Sequence, residues 1–174
     1  MGVIRDFDQK HQDSAVWQFI KFNLVSTTIF WVQLLLANVL PLLFDAVKEP
    51  LPEILRGIFR PENMDAKYIV NGAVTWGYVL PFFLSNFLAN IYGYFVNMKA
   101  TFKGKGGKYS LPVYCAVLFV LILFSTWLQS IITAALSKGS LAALARTIAA
   151  AASGMVQMIV IFPLEKFVLF KKDR

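Results

Sequence analysis

Four long apolar stretches, each broken only by scattered polar residues, set the pattern of this chain. The first runs from about Phe19 to Phe44, with Lys21 and Asn23 in its first turn, Gln33 and Asn38 deeper, and Pro41 at its far end. The second runs from about Tyr68 to Val96. Pro81 falls in its middle, where the missing N–H should free a carbonyl near Gly77 and interrupt the helix. The third, about Leu111 to Leu136, has no charge at all. The fourth, about Leu141 to Phe162, is rich in alanine and carries Arg146 about one and a half turns in. A helix needs roughly 20 apolar residues to cross about 30 Å of hydrocarbon. All four stretches reach that length. The predicted fold class is an all-α membrane protein, a bundle of four transmembrane helices.

The polar segments divide the chain accordingly: a tail over 1–18, a transmembrane domain over 19–170, and a basic tail over 171–174. Within the domain, a mixed-charge loop covers 45–67 and a basic loop covers 97–110. In the first loop, Pro52 to Pro61 reads equally as a plain structured loop or as a short helix lying on the membrane. In the second case Ile54, Leu55, Ile58 and Phe59 would face lipid. The run Lys103-Gly-Lys-Gly-Gly-Lys108 reads as a flexible hairpin. It is not a phosphate-binding P-loop, because Tyr109 stands where Ser or Thr is needed and no strand precedes it.

Composition agrees with the pattern. The chain of 174 residues is 57% hydrophobic, with mean hydropathy +0.60, which is too apolar for an ordinary soluble domain. Its net charge of +7 comes from only 16% charged residues, and points to a membrane surface rather than nucleic acid. Four spans place both termini and the 97–110 loop on one side. That side collects Arg5, Lys10, Lys21, Lys99, Lys103, Lys105, Lys108, Lys166, Lys171, Lys172 and Arg174. The other side balances its cations with Asp45, Glu49, Glu53, Glu62 and Asp65. The positive-inside rule then makes both termini cytoplasmic in a multi-pass protein of the cytoplasmic membrane. The single cysteine, Cys115, lies in an apolar run, and the single histidine, His11, in the polar tail. No disulfide framework, metal set, buried carboxylate pair or nucleophile–base pair can be assembled, so neither enzyme nor cofactor chemistry is expected.

The informative chemistry lies inside the apolar stretches. Asn86, Asn90, Gly93 and Asn97 fall in one narrow sector of the second helix. Ser85, Ala89 and Gly93 form a stripe of small residues that lets a neighbouring helix approach. Gln157 faces from the fourth span, and Glu165 follows it, placed to pair with Lys166 or Lys21 or to carry a proton. Asn97-Met-Lys-Ala-Thr-Phe-Lys103 after the second span lines up with Glu165-Lys-Phe-Val-Leu-Phe-Lys171 after the fourth. The two helix pairs would then be related as a parallel repeat, as occurs in transporters.

The opening Phe19-Ile-Lys-Phe-Asn-Leu-Val-Ser26 and the exit Asn86, Asn90, Gly93, Asn97-Met-Lys-Ala-Thr-Phe102 resemble the GtrA family of small four-span membrane proteins. That family's second and fourth spans end in an Asn-Arg-x-Trp-x-Phe motif. Here Asn97 and Phe102 match, Met98 followed by Lys99 stands where the family has arginine, and Ala100 replaces the tryptophan. In the second copy Glu165-Lys166 replaces Asn-Arg and Val168 replaces the tryptophan. The resemblance implies a translocase, or flippase, for polyprenyl-phosphate-linked sugars used to glycosylate cell-wall or surface polysaccharides such as teichoic acid or lipopolysaccharide. Lys21, Lys99 and Lys166 at the cytoplasmic helix ends, and Arg146 toward the other side, are then the candidate phosphate contacts. A cation within a span is itself a functional pointer. Asn23, Asn86, Asn90, Asn97, Gln157 and Glu165 are the candidate polar path for the sugar. The expected partners are the lipid-linked sugar, a membrane glycosyltransferase and further copies of the chain, held by the small-residue stripes. The alternative is an accessory subunit that stabilises such a transferase without transporting anything.

Overall fold

The structure is a computed structural model and describes residues 2–59, 61, 66–136, 140 and 144–171. Four helices in it are long and apolar enough to cross a membrane: Ala15–Phe44, Trp76–Thr101, Ser110–Leu128 and Ala151–Leu169. Large apolar side chains such as Leu24, Leu35, Leu42, Val120 and Ile159 are exposed around them. So broad an apolar exterior suits a lipid environment rather than water. This is a multi-pass, all-α membrane bundle.

An amphipathic helix α1 (Gly2–His11) precedes the spans. Helix α2 (Ala15–Val39) begins behind Ser14, whose side chain caps the Trp17 N–H. It passes through Leu40 into α3 (Pro41–Phe44), where Pro41 occupies the first turn and its missing N–H is harmless. The first span therefore starts at Ala15, four residues before the apolar run.

The 45–67 loop folds against the bundle. Of the apolar residues of its short helix α4 (Glu53–Arg56), Ile54 is turned outward and Leu55 is not. Leu51 and Phe59 are buried with Val74 and Val79, and Leu55 and Ile58 pack on them. Of the two readings of this segment, the one in which Leu55, Ile58 and Phe59 face lipid does not hold, because they close a small apolar core instead. That core is built on a hairpin, β1 (Ile69–Val70) and β2 (Ala73–Val74). Asn71 and Gly72 turn it with φ of 51° and 73°, the pair of positive angles that a two-residue hairpin of right twist requires.

The hairpin shortens the second span. Helix α5 (Trp76–Val96) starts behind Thr75, so Pro81 falls in its second turn and not at its middle. The expected break at mid-helix is absent. Near a helix start Pro81 removes one ladder bond where the chain is already anchored, since Leu51 N–H bonds Val74 O and Trp76 N–H bonds Glu49 O. Gly77 permits a close approach here: a Cβ would lie 2.8 Å from the Phe44 carbonyl oxygen and closer still to that of Val47.

Helix α6 (Ser110–Leu136) and helix α7 (Ala145–Pro163) form the other half. The most extensive packing is α2 on α5 and α6 on α7, two antiparallel pairs joined mainly through α5 and α6. Ser85, Ala89 and Gly93 are all buried within the first pair. A Cβ on Gly93 would strike the Ile29 side chain of α2. The small-residue stripe is therefore consumed inside one chain, and does not serve as the expected contact between copies.

Both α5 and α7 leave the bundle through a π-helical turn, Asn97–Thr101 and Leu164–Leu169. Corresponding positions of the two exits share their burial: Asn97 with Glu165, Thr101 with Leu169, Phe102 with Phe170. The expected flexible hairpin at 103–108 is tied down, because β3 (Lys105–Gly106) pairs antiparallel with β4 (Phe170–Lys171). Helix α1 docks at the same end. Asp8 accepts from Lys103 at 2.6 Å, Trp17 Nε1 at 2.8 Å and Lys21 at 2.9 Å. Those three donors, Lys103 foremost, hold its carboxyl well below the usual carboxylate range. A lowered value means the clamp is fully present above the ordinary aspartate range of about 4 and is lost only as pH falls below it. Hydrogen-exchange protection of residues 2–11 should therefore be equal at about pH 7 and about pH 5 after correction for intrinsic rates. Asp8→Ala should lower it at both.

Candidate functional site

The helices enclose a cavity of about 350 Å³ in the bundle. That lies at the lower end of the range of roughly 300–1,000 Å³ seen for small-molecule sites. From α2 it is lined by Phe22, Ser26, Ile29, Phe30 and Gln33, a stretch of roughly 16 Å at 1.5 Å per residue. Asn90 and Asn97 enter from the α5 side, Tyr114 from α6, and Gly154, Met155, Gln157, Met158 and Ile161 from α7. The lining is thus an apolar wall set with amides and a phenol.

Hydrogen bonds fix the polar groups. Asn90 Nδ2 donates to Asn86 Oδ1 at 2.8 Å and to the Asn86 carbonyl at 2.9 Å, one turn back along α5. The Tyr114 hydroxyl donates to the Asn90 carbonyl at 3.1 Å and ties α6 to α5. Gln157 Nε2 donates to Ser125 Oγ at 2.9 Å, and Ser153 Oγ to the Ser125 carbonyl at 3.2 Å, so α6 also orients the α7 side. Asn97 Oδ1 accepts from Thr101 Oγ1 at 3.0 Å within the π-helical turn. Groups held this way are oriented before any ligand arrives.

An aromatic layer lies beside the cavity toward the basic end. Phe162 meets Phe19, Phe22 and Phe102 at centroid distances of 5.2, 5.3 and 5.8 Å. Phe170 meets Tyr94 and Phe102 at 5.0 and 5.6 Å. Sideways the enclosure is incomplete. Phe30 on α2 and Met155 on α7 line the cavity yet are 56% and 59% exposed, too much for the wall of a closed void. The cavity therefore reaches the lipid-facing surface between α2 and α7.

Of the residues singled out by sequence, Asn90, Asn97 and Gln157 come together on this cavity. Asn86 supports Asn90 from behind. Asn23 is not part of the site; its amide donates to the Phe19 carbonyl of its own helix. Lys21 donates to Asp8 and, at 2.9 Å, to the Ala100 carbonyl. Lys99 is exposed at the basic end, and the Lys166 ammonium lies over the rings of Phe162 and Phe167. Arg146 lies in the first turn of α7, and its side chain is outside the described residues.

Among the described residues, Gln18, Thr75 and Glu165 have buried side-chain oxygens without a hydrogen-bond partner, and Glu165 is the ionisable one. It is fully buried, and among the described residues neither carboxylate oxygen has a hydrogen-bond partner. Asn97 lies beside it without full hydrogen-bond geometry, and Tyr114 is within electrostatic reach. The expected pairing with Lys166 or Lys21 does not form, since both lysines are engaged elsewhere.

Ser26, Gln33, Tyr114, Gly154, Met155 and Met158 were not legible as site residues. Each is ordinary in an apolar helix, and only the relative rotation of the four helices turns them to one space. Among the described residues no three His, Cys, Asp or Glu side chains gather as a metal set. Comparison with family models, curated proteins and solved structures gives no match to this chain.

Proposed function

We propose that this chain is a translocase for a lipid-linked anionic sugar, of the polyprenyl-phosphate class, in the manner of the GtrA-like proteins its exits resemble. The observation that carries the proposal is the laterally open, mainly apolar cavity with amides set into its wall. A prenyl chain stays in the bilayer while the headgroup enters between α2 and α7. Asn90, Asn97 and Gln157 offer amides to sugar hydroxyls, and the apolar remainder of the wall accepts the first prenyl units. Lys99 and Lys166 near the basic end supply cations for the phosphate as it approaches, and Arg146 takes it toward the other surface. With the positive-inside rule, the basic end is cytoplasmic and both termini lie there. The shared burial of Asn97–Phe102 and Glu165–Phe170 supports two related helix pairs around one central path. On this reading the chain moves its substrate without changing it, and a membrane glycosyltransferase uses the product.

Gly154→Leu tests the path. Gly154 lines the cavity and no atom lies within 4 Å of where its Cβ would sit, so there is open space for a larger side chain to begin there. Transport of a labelled short-chain prenyl-phospho-hexose into liposomes should fall at least tenfold, with thermal stability unchanged. Asn90→Leu should reduce it comparably. Undiminished transport in a folded Gly154→Leu protein would remove the cavity from the path. A folded wild type that neither moves nor binds the lipid would favour the accessory-subunit reading.

A further inference from the structure

Glu165 is a buried ionisable group for which the path described above has no use. It is fully buried, its two oxygens have no hydrogen-bond partner among the described residues, and its neighbours Asn97 and Tyr114 both line the cavity. A buried ionised carboxylate left unpaired is strongly disfavoured, so something must accompany its charge. The groups facing it do not. From the exit of α5 comes Asn97, which is neutral. From α6 comes the Tyr114 phenol, engaged with Asn90 and flanked by Tyr94 at a 4.9 Å centroid distance. On its own turn, the neighbouring Lys166 ammonium sits over Phe162 and Phe167, 5.7 and 5.3 Å from their centroids. From α2, the Lys21 ammonium is held by Asp8 and Ala100, and Lys99 on the α5 exit is exposed.

We infer that Glu165 is a proton-binding site linked to the cavity: an anionic lipid headgroup occupies the cavity together with one proton on Glu165. The chemistry is a single proton transfer. A hydronium ion from the solvent gives its proton to the carboxylate, leaving water and the neutral acid, and water takes the proton back as hydronium when the headgroup leaves. With the proton on, Glu165 is neutral and adds an O–H donor next to Asn97. With the proton off, a second negative charge faces the phosphate across a low-dielectric gap, and the headgroup is expelled. Linkage is reciprocal, so lipid binding draws a proton in as much as a proton draws the lipid in. A transmembrane proton gradient then biases the direction in which the lipid moves. This linkage rests on the translocation proposed above.

The test uses the full chain in lipid nanodiscs and, as probe, a farnesyl-phospho-hexose. This phosphodiester keeps one negative charge over the whole pH range, so it takes up no proton itself. Infrared titration without probe, compared with Glu165→Gln, identifies the protonated-carboxyl band of Glu165. Probe affinity against pH and proton uptake on binding, read with a dye in weak buffer, complete it. Above the midpoint of that band, wild-type affinity should fall about tenfold per pH unit, the slope for one linked proton. About one proton should be taken up per probe in that range. Glu165→Gln should bind with an affinity independent of pH and with no uptake. Wild type that binds equally well across that range without proton uptake overturns the linkage and leaves translocation standing. A slope that survives in Glu165→Gln overturns it too. A titrating Glu165 band in protein that never binds the probe overturns translocation first, and the linkage with it.

Discussion

Glu165→Leu is expected to raise the stability of the purified protein by roughly 1–3 kcal/mol, the cost of leaving a buried polar group unsatisfied. Leucine is close to glutamate in volume and has no group to satisfy. The two bare oxygens disappear, and Phe102, Phe170 and Leu169 keep their places in the surrounding core. Only the imperfect approach of Asn97 is lost. The same variant should bind no lipid-linked proton, so stability and pH-linked binding move in opposite directions. Paired thermal unfolding in one detergent, with wild type and Glu165→Gln alongside, checks it. A destabilised Glu165→Leu protein would mean that Glu165 has a structural partner. The trade is a familiar one, in which a functional site holds a group the fold alone would reject.

The second large effect is steric. Gly77→Val should destabilise the protein by about 3 kcal/mol, at the upper end of what overpacking usually costs. The groups in the way are the backbone carbonyls of Phe44 and Val47, and backbone cannot step aside as a side chain can. Gly93→Ala gives the internal comparison. There the obstacle is the end of the Ile29 side chain, so Ile29→Ala in the same chain should recover most of the loss. No side-chain truncation should rescue Gly77→Val. Thermal unfolding of the two singles, the Gly93 double variant and Ile29→Ala alone measures the coupling directly. A Gly77→Val protein as stable as wild type would show that Gly77 does not meet the 44–47 backbone.

Some local features were readable and yet missed. Asn71-Gly72 between Ile69-Val70 and Ala73-Val74 is the strongest short hairpin signal a sequence offers. It was hidden because Tyr68, Ile69, Val70, Ala73 and Val74 are also apolar enough to extend a membrane span. Reading it as a hairpin moves Pro81 to the start of α5 and removes the break at mid-helix. The 45–67 loop was ambiguous for a similar reason. Leu55, Ile58 and Phe59 are apolar whether they meet lipid or Val74 and Val79, and a periodic pattern cannot tell one apolar partner from another.

The sequence by itself determined the four spans, their apolar shell, the amide face of α5 and the concentration of lysine at one end. These follow from length, hydropathy and helical period, all local properties of the chain. The tertiary structure alone decided what those faces meet. It set Gly93 of the small-residue stripe against Ile29, tied Lys21 and Lys103 to Asp8, and paired Lys105-Gly106 with Phe170-Lys171. It also turned Asn90, Asn97 and Gln157 onto one cavity and left Glu165 beside it without a partner. Each of these depends on how far one helix is rotated about its axis relative to the next. In a membrane that rotation is set by close packing and scarce polar contacts between helices, and not by the hydrophobic pattern, because lipid is as good a neighbour for an apolar face as another helix is.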